Sequence, residues 1–429
     1  MKKLNNSLLK MLILTTCVAA PAVAQEADSL LIRCASTERD SVRIAKNPAL
    51  MQLRLKSEQA IRRHIDLNKS TFRTSADEII TIPVVVHVIY DREDGRIGGA
   101  GNPNITEEQI QNQIDVLNED YGNASGYKGF YTDSHGVDTG IRFKLVTIVR
   151  ERTTKTQFNP LTDAGTLAGI SPAWFTNRYL NIWVCKLADR YLGTSQFPVV
   201  TEINDRTNGL SMSEDEEIDA LTDGVIIDFR YFGRNSDAIT SAVYNLGRTT
   251  THEVGHWLGL IHTWGDTFCG TDYCDDTPVA YTKNETTDVS CTPVFSQCNG
   301  VNSRNMIENY MDYSPDACMS VFTADQKARM RAIMELSPRR AKLVEYSRLT
   351  DQDVKVEIYP NPVHEYLTAD VYTPSYEPFT VSVFNDKGQK VLEDRVNRTY
   401  VDVKNFPGGL YFYRITTGSQ TITRKFVVR

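Results

Sequence analysis

The run Thr251-His252-Glu253-Val254-Gly255-His256-Trp257-Leu258-Gly259-Leu260-Ile261-His262 constrains this chain more than any other stretch. On a helix, residues four apart share a face, so His252 and His256 can reach one ion. Imidazole is a good neutral ligand for Zn²⁺, with bonds of about 2.0–2.1 Å. Gly259 permits a left-handed exit from the helix that a Cβ would oppose, and the chain can then turn back to present His262. Three protein ligands leave one coordination position open, which separates a reactive zinc site from a closed structural one. Glu253, beside the first ligand, stands where a general base is needed. Only seven histidines occur in 429 residues, and three of them fall here, so coincidence is a poor alternative. His87 lies in an apolar strand and reads as a core residue, while His64, His135 and His364 read as surface positions.

The chain begins with Lys2, Lys3 and Lys10 around an apolar stretch from Leu8 to Val23 that ends in Ala22-Val23-Ala24. That is the pattern of a secretory signal over residues 1–24, with Gln25 as the first mature residue. A lipoprotein reading through Cys17 is the alternative, but Thr16 before the cysteine fits it poorly. No other stretch approaches 18 apolar residues, so no transmembrane segment is expected. The net charge of −7, without a basic cluster, argues against nucleic acid as a partner. Export permits disulfides. Without Cys17 seven cysteines remain, six of them between Cys185 and Cys318, so three bridges and one leftover thiol are the simplest arrangement.

Residues 25–77 are polar and basic, with Leu50, Leu53, Leu55, Ala60 and Ile61 suited to an amphipathic helix but no core of their own. From 78 to 350, strands at Ile82–Ile89, Ile141–Ile148, Leu180–Leu187 and Gly224–Phe232 alternate with helices. One helix starts behind Thr106 with Ile110, Ile114 and Leu117 on a single face, and the mixture predicts an α+β domain. Residues 351–429 change to short alternating strands, such as Val354–Tyr359 and Thr380–Phe384, which predicts a small all-β sandwich.

The histidine run followed by Asn309-Tyr310-Met311-Asp312-Tyr313 resembles a metzincin zinc peptidase with its Met-turn. Gly247-Arg248-Thr249-Thr250-Thr251, Gly265-Asp266, Asp276-Thr277-Pro278 and Cys318 narrow the resemblance to the pappalysin-like branch. The tail, with Tyr359-Pro360-Asn361-Pro362, Gly408-Gly409-Leu410-Tyr411 and the basic end Lys425 to Arg429, resembles a type IX secretion C-terminal sorting domain. The resemblances imply a secreted zinc endopeptidase acting on proteins or peptides, with secretion machinery as a partner of its tail. They imply Met311 as a floor beneath the metal and Tyr313 as an oxyanion stabiliser. A substrate strand would add to the strand at 224–232, and Asp316 would select Arg or Lys after the scissile bond.

Structural calcium is also implied, with Asp266, Asp275, Asp276 and Thr277 among the oxygen donors; a solvated acidic loop is the alternative. Family spacing implies bridges Cys274–Cys298 and Cys291–Cys318, which leaves Cys185 for Cys269. Cys34, in Arg33-Cys34-Ala35-Ser36-Thr37, is then the thiol that silences a zymogen by taking the open zinc position, with activation by cleavage near Arg73. Ala35 stands where the family has glycine. Two rival readings are a binding module with a purely structural zinc, against which Glu253 and Tyr313 speak, and an adhesin exported by its tail.

Overall fold

The computed structural model describes residues 31–74, 79–124, 136–188, 190–198, 220–347, 354–373, 378–396, 400–418 and 420–429. The expected signal segment, Cys17 and His135 lie outside the described residues, as does the side chain of Arg73.

A six-stranded sheet organises the first two-thirds of the chain. Its strands are β1 (Ile32–Cys34), β2 (Ile80–Tyr90), β3 (Ile141–Arg152), β4 (Leu180–Cys185), β5 (Tyr191–Ser195) and β6 (Val225–Asp228). They lie in the order β1-β5-β6-β4-β2-β3. β3, β2, β4 and β6 run parallel, whereas β5 is antiparallel to β6. Alternation along β2 splits its side chains between two cores. Val84, Val86 and Val88 face Ile110, Ile114 and Leu117 of helix α3 (Glu107–Tyr121) and Val254 and Trp257 of helix α5 (Arg248–Trp257). Burial of each of these large side chains contributes roughly 1.5–3 kcal/mol. Thr106 caps α3 by accepting from the Gln109 amide. Polar residues of α3 then fix the start of α5: Gln113 donates to Gly247 O and accepts from Thr250 Oγ1.

Residues 31–74 form no core of their own. β1 adds to the edge of the sheet, α1 (Ser36–Lys46) follows it, and α2 (Ala49–Thr74) packs on α6 (Ala324–Leu336). Ala60 and Ile61 are buried there, while Leu55 of the expected apolar face is exposed. Helices α4 (Ala164–Ile170) and α7 (Pro338–Ser347) complete the helices among the described residues, and β7 (Phe295–Cys298) and β8 (Val301–Arg304) make a small ribbon.

Among the described residues the tail builds seven strands: β9 (Lys355–Tyr359), β10 (Tyr366–Tyr372), β11 (Thr380–Asn385), β12 (Lys390–Val396), β13 (Tyr400–Asp402), β14 (Gly409–Thr416) and β15 (Thr421–Val428). A three-stranded sheet, β13-β10-β9, and a four-stranded one, β12-β11-β14-β15, enclose Leu367, Val371, Val381, Tyr413 and Phe426. This apolar cluster continues into Val85, Phe175 and Tyr179 on the far side of the large sheet. Arg178, fully buried, donates to Val371 O and to Thr373 O of the tail.

One expectation is corrected here. The strand at 224–232 is not a rim: β6 covers only Val225–Asp228 and lies inside the sheet, flanked by β4 and β5. The rim is β5, and β1 occupies it. Val225, Ile226 and Ile227 are all buried, which is why the segment reads as hydrophobic throughout.

Candidate active site

Helix α5 ends at Trp257, and Gly259, at φ +85°, turns the chain back toward the helix. His252, His256 and His262 thereby come together, all buried, with their Nε2 atoms 3.0–3.2 Å from one another. Each Nδ1 faces an acceptor: Tyr310 O for His252, Leu260 O for His256 and Asp266 Oδ1 for His262. Those partners hold the proton on Nδ1, so three Nε2 lone pairs point at one spot. Burial and the neighbouring histidines push His252 well below its usual pKa, and the same causes bring His256 to about 3. Three acceptor nitrogens this close repel one another unless a cation lies between them. Their spacing fits one ion with bonds of about 2.0–2.1 Å, and an all-imidazole donor set suits zinc.

Met311 lies buried beneath α5, against Gly255; a Cβ at Gly255 would collide with the Met311 sulfur. Glycine at this position is therefore required by a close approach that the histidine spacing does not reveal. Asp120, at the end of α3, holds the same helix by accepting from Thr251 Oγ1, Tyr310 OH and Arg248. Nothing in the sequence singles out Asp120, because its partners come from two distant segments.

Residues 33–37 thread through this site. Ile32 donates to Arg190 O and Ala35 to Gly193 O, so β1 runs parallel to β5. The ligand atoms of Cys34, His252, His256 and His262 all lie within 4.8 Å of one another. Among the described residues no other three or more His, Cys, Asp or Glu bring their ligand atoms together in this way. Tyr313 OH donates to Cys34 O at 3.1 Å. Ser36 Oγ donates to Glu253 Oε2 at 2.7 Å, and Thr37 Oγ1 to Asp266 Oδ1 at 3.1 Å. Arg33 donates to Ser314 O at 2.9 Å and to Asp316 Oδ1 at 2.5 Å, with its guanidinium 4.9 Å from the Tyr244 ring. Sequence reasoning finds Cys34 and Asp316 separately but misses that Arg33, Ser36 and Thr37 engage Asp316, Glu253 and Asp266.

Burial raises Glu253 to about 7, with Ser36 and Cys34 pulling the other way. Its Oε1 is buried without a hydrogen-bond partner. Burial, and then the Glu253 charge, push the Cys34 thiol up; a bound cation would reverse that balance and favour the thiolate.

The cysteines require two corrections. Cys269 pairs with Cys298, not Cys274 with Cys298, and Cys185 is a free thiol. A bridge needs Cα atoms about 4.4–6.8 Å apart. Cys185 ends β4 inside a cluster of Ile89, Phe158, Leu187 and Ile226, walled off from the loop that carries Cys269. Cys274 is buried and turned toward Asp272, its Sγ 3.8 Å from Asp272 O. The second bridge joins Cys291 to Cys318.

Of the acids expected to bind calcium, Asp266 instead accepts from His262 and Thr37; against its burial, His262 holds it down at about 2. Thr277 Oγ1 donates to Asp272, and Asp276 Oδ2 accepts from the Asp325 amide. Asp275 donates its amide to Asp325 Oδ2.

Three converging imidazoles with a buried carboxylate beside the first of them define a metal-dependent peptidase of the metzincin type. Comparison with known proteins agrees. Residues 170–335 match the family described as pregnancy-associated plasma protein-A, and residues 357–429 match the secretion system C-terminal sorting domain. An extracellular metalloprotease of Verticillium alfalfae is 31% identical over 260 residues, covering 60% of this chain and 78% of the relative. Mature mirolysin of Tannerella forsythia, solved with a cleaved peptide, shares 35% identity at a TM-score of 0.52, over 63% of this chain and 97% of that one. A promirolysin mutant from the same organism shares 33% identity at a TM-score of 0.57, over 74% of this chain and 99% of that one. The chain belongs to the pregnancy-associated plasma protein-A family of metallopeptidases, the pappalysin-like branch. It is a secreted metalloendopeptidase with a type IX sorting tail. No helix among the described residues is long and apolar enough to cross a membrane.

Proposed function

We propose that this endopeptidase is made as a zymogen whose residues 25–77 are a propeptide, and that the active enzyme cleaves before Arg or Lys. One observation carries the reading: four of the five residues from Arg33 to Thr37 engage the reactive apparatus. Arg33 sits on Asp316, Cys34 faces the three histidines, the Cys34 carbonyl engages Tyr313, Ser36 takes Glu253 and Thr37 takes Asp266.

His252, His256 and His262 are the residues to hold zinc, with Cys34 as the fourth ligand in the latent form. When bound, zinc supplies a Lewis acid and makes water acidic enough to attack near neutral pH. Glu253, next to His252 on the same helix, would take the proton from the attacking water and return it to the leaving amine. Tyr313, freed from Cys34 O, offers its hydroxyl to the developing oxyanion, and Met311 supports the helix from below.

An extended substrate adds to the free edge of β5. Running antiparallel to β5, it brings the residue after the scissile bond to the pocket that Arg33 fills. β1 runs the opposite way, so it fills that pocket with the residue preceding Cys34. A reversed strand occupies the cleft without presenting a peptide bond correctly for attack.

Calcium is the remaining part of the proposal, held by the turn at Asp275, Asp276 and Thr277. Asp276 Oδ1 is buried without a hydrogen-bond partner, and burial raises the pKa of Asp276. Asp266 is left out of this set because His262 and Thr37 claim it.

Cys34→Ala tests the latency reading. The precursor of this variant is expected to hydrolyse peptides before cleavage and to mature faster than the wild type. A variant precursor as silent as the wild type would remove Cys34 as the switch.

A further inference from the structure

The N-terminal segment has a second foothold, remote from the reactive cleft. Ala60 and Ile61 of α2, with Ile65 beside them, pack into Ala328, Ala332, Ile333 and Leu336 of α6. Glu58 makes a two-pronged pair with Arg329, Oε1 to Nη1 and Oε2 to Nη2, both at 2.7 Å. Arg329 is 4% exposed, and its Nε donates to Gly259 O, at the turn that brings His262 to the metal. Arg62 lies 4.0 Å from the Tyr273 ring, and His64 pairs with Glu335.

Neither foothold depends on a peptide bond beyond residue 68. A cut between α2 and β2 therefore leaves every one of these contacts intact and removes only the tether. Without α2, α6 presents an apolar strip beside a guanidinium that has lost its carboxylate partner. Both features ask for the same occupant: an amphipathic helix with an acid about one turn from its apolar residues.

We propose that this face of α6 remains a helix-docking site after activation, and that its occupant is α2 of the excised segment. The segment then binds at two points, α2 on α6 and residues 33–37 in the cleft, and inhibits the processed enzyme as a separate molecule. Both halves presuppose the cut that the zymogen reading above supplies; only the inhibitory half also needs residues 33–37 to silence the cleft. Two linked footholds bind far more tightly than either alone, because the second engages at high local concentration.

The test uses labelled peptide 31–74 and the enzyme after its own processing, with fluorescence anisotropy for binding and peptide hydrolysis for inhibition. Wild-type peptide should bind and inhibit, while Glu58→Ala and Ile61→Asp peptides should bind roughly a hundredfold more weakly. Placing the changes in the peptide keeps folding of the enzyme out of the comparison. If wild-type peptide does not bind, or both variants bind as tightly as it does, the docking site is refuted. Binding that depends on Glu58 while hydrolysis continues undiminished would uphold the docking site and sink the latency reading.

Discussion

Asp316 divides its two oxygens between two tasks. Oδ1 meets Arg33, and Oδ2 accepts from the amides of Leu246 and Arg248 at the start of α5. Asp316 is thus fastened to the helix that carries His252, Glu253 and His256. A truncation to alanine disturbs both, so the sharper probe of specificity is Asp316→Asn, which keeps an oxygen for the two amides and removes the charge. With matched peptides differing only in Arg or Leu after the scissile bond, the preference for Arg should fall about 10–100-fold. An unchanged ratio would rule Asp316 out as the selector. The histidines could be found from sequence because their spacing is set within one helix and one turn. Arg33 could not be assigned to Asp316, because 283 residues separate them and only the fold joins them.

Among the elements, α5 is anchored at its far end by an acid on the approach to β6. Asp223 accepts from Arg340 at 2.8 and 2.9 Å, from Arg339 and from Trp257 Nε1, and is almost wholly buried. Against the cost of burial, Arg340 and Arg339 hold it down at about 2, from an ordinary 3.8. A depressed acid stabilises the fold fully above its unfolded pKa and loses that contribution as pH falls through the folded value. The difference corresponds to about 2 kcal/mol. Urea unfolding of the metal-free protein should show wild type exceeding Asp223→Asn by at least this amount at pH 6. The gap should narrow between pH 4 and about 2, and a gap constant across that window would refute the linkage. Element identity was legible where periodicity carries it, as in α3 and β2. β5, Tyr191-Leu192-Gly193-Thr194-Ser195, has too few apolar residues to declare itself a strand, so the resemblance could be laid only on the more hydrophobic β6. Cysteine pairing was partly illegible for another reason: six cysteines permit fifteen pairings, and topology chooses among them.

For the whole molecule, the sorting tail is packed against the peptidase. Arg178 crosses the junction, its guanidinium 5.2 Å from the Tyr372 ring, with two tail carbonyls as acceptors. Arg178→Ala should cost about 2–3 kcal/mol of docking, since both bonds carry a charged donor in a buried setting. Small-angle scattering of the full chain should then give a larger radius of gyration, with peptide hydrolysis by the processed enzyme unchanged. An unaltered radius would show that the apolar cluster alone holds the tail. At the other end of the chain, β1 bears on self-association. A bare β5 offers a row of unsatisfied amides and carbonyls to any extended chain, including that of a neighbouring copy. With β1 in place, the outermost strand is three residues long and carries a buried arginine. A short edge of this kind gives a neighbour little to extend, so on this side of the sheet the segment that fills the cleft also leaves no long strand for a second copy to pair with.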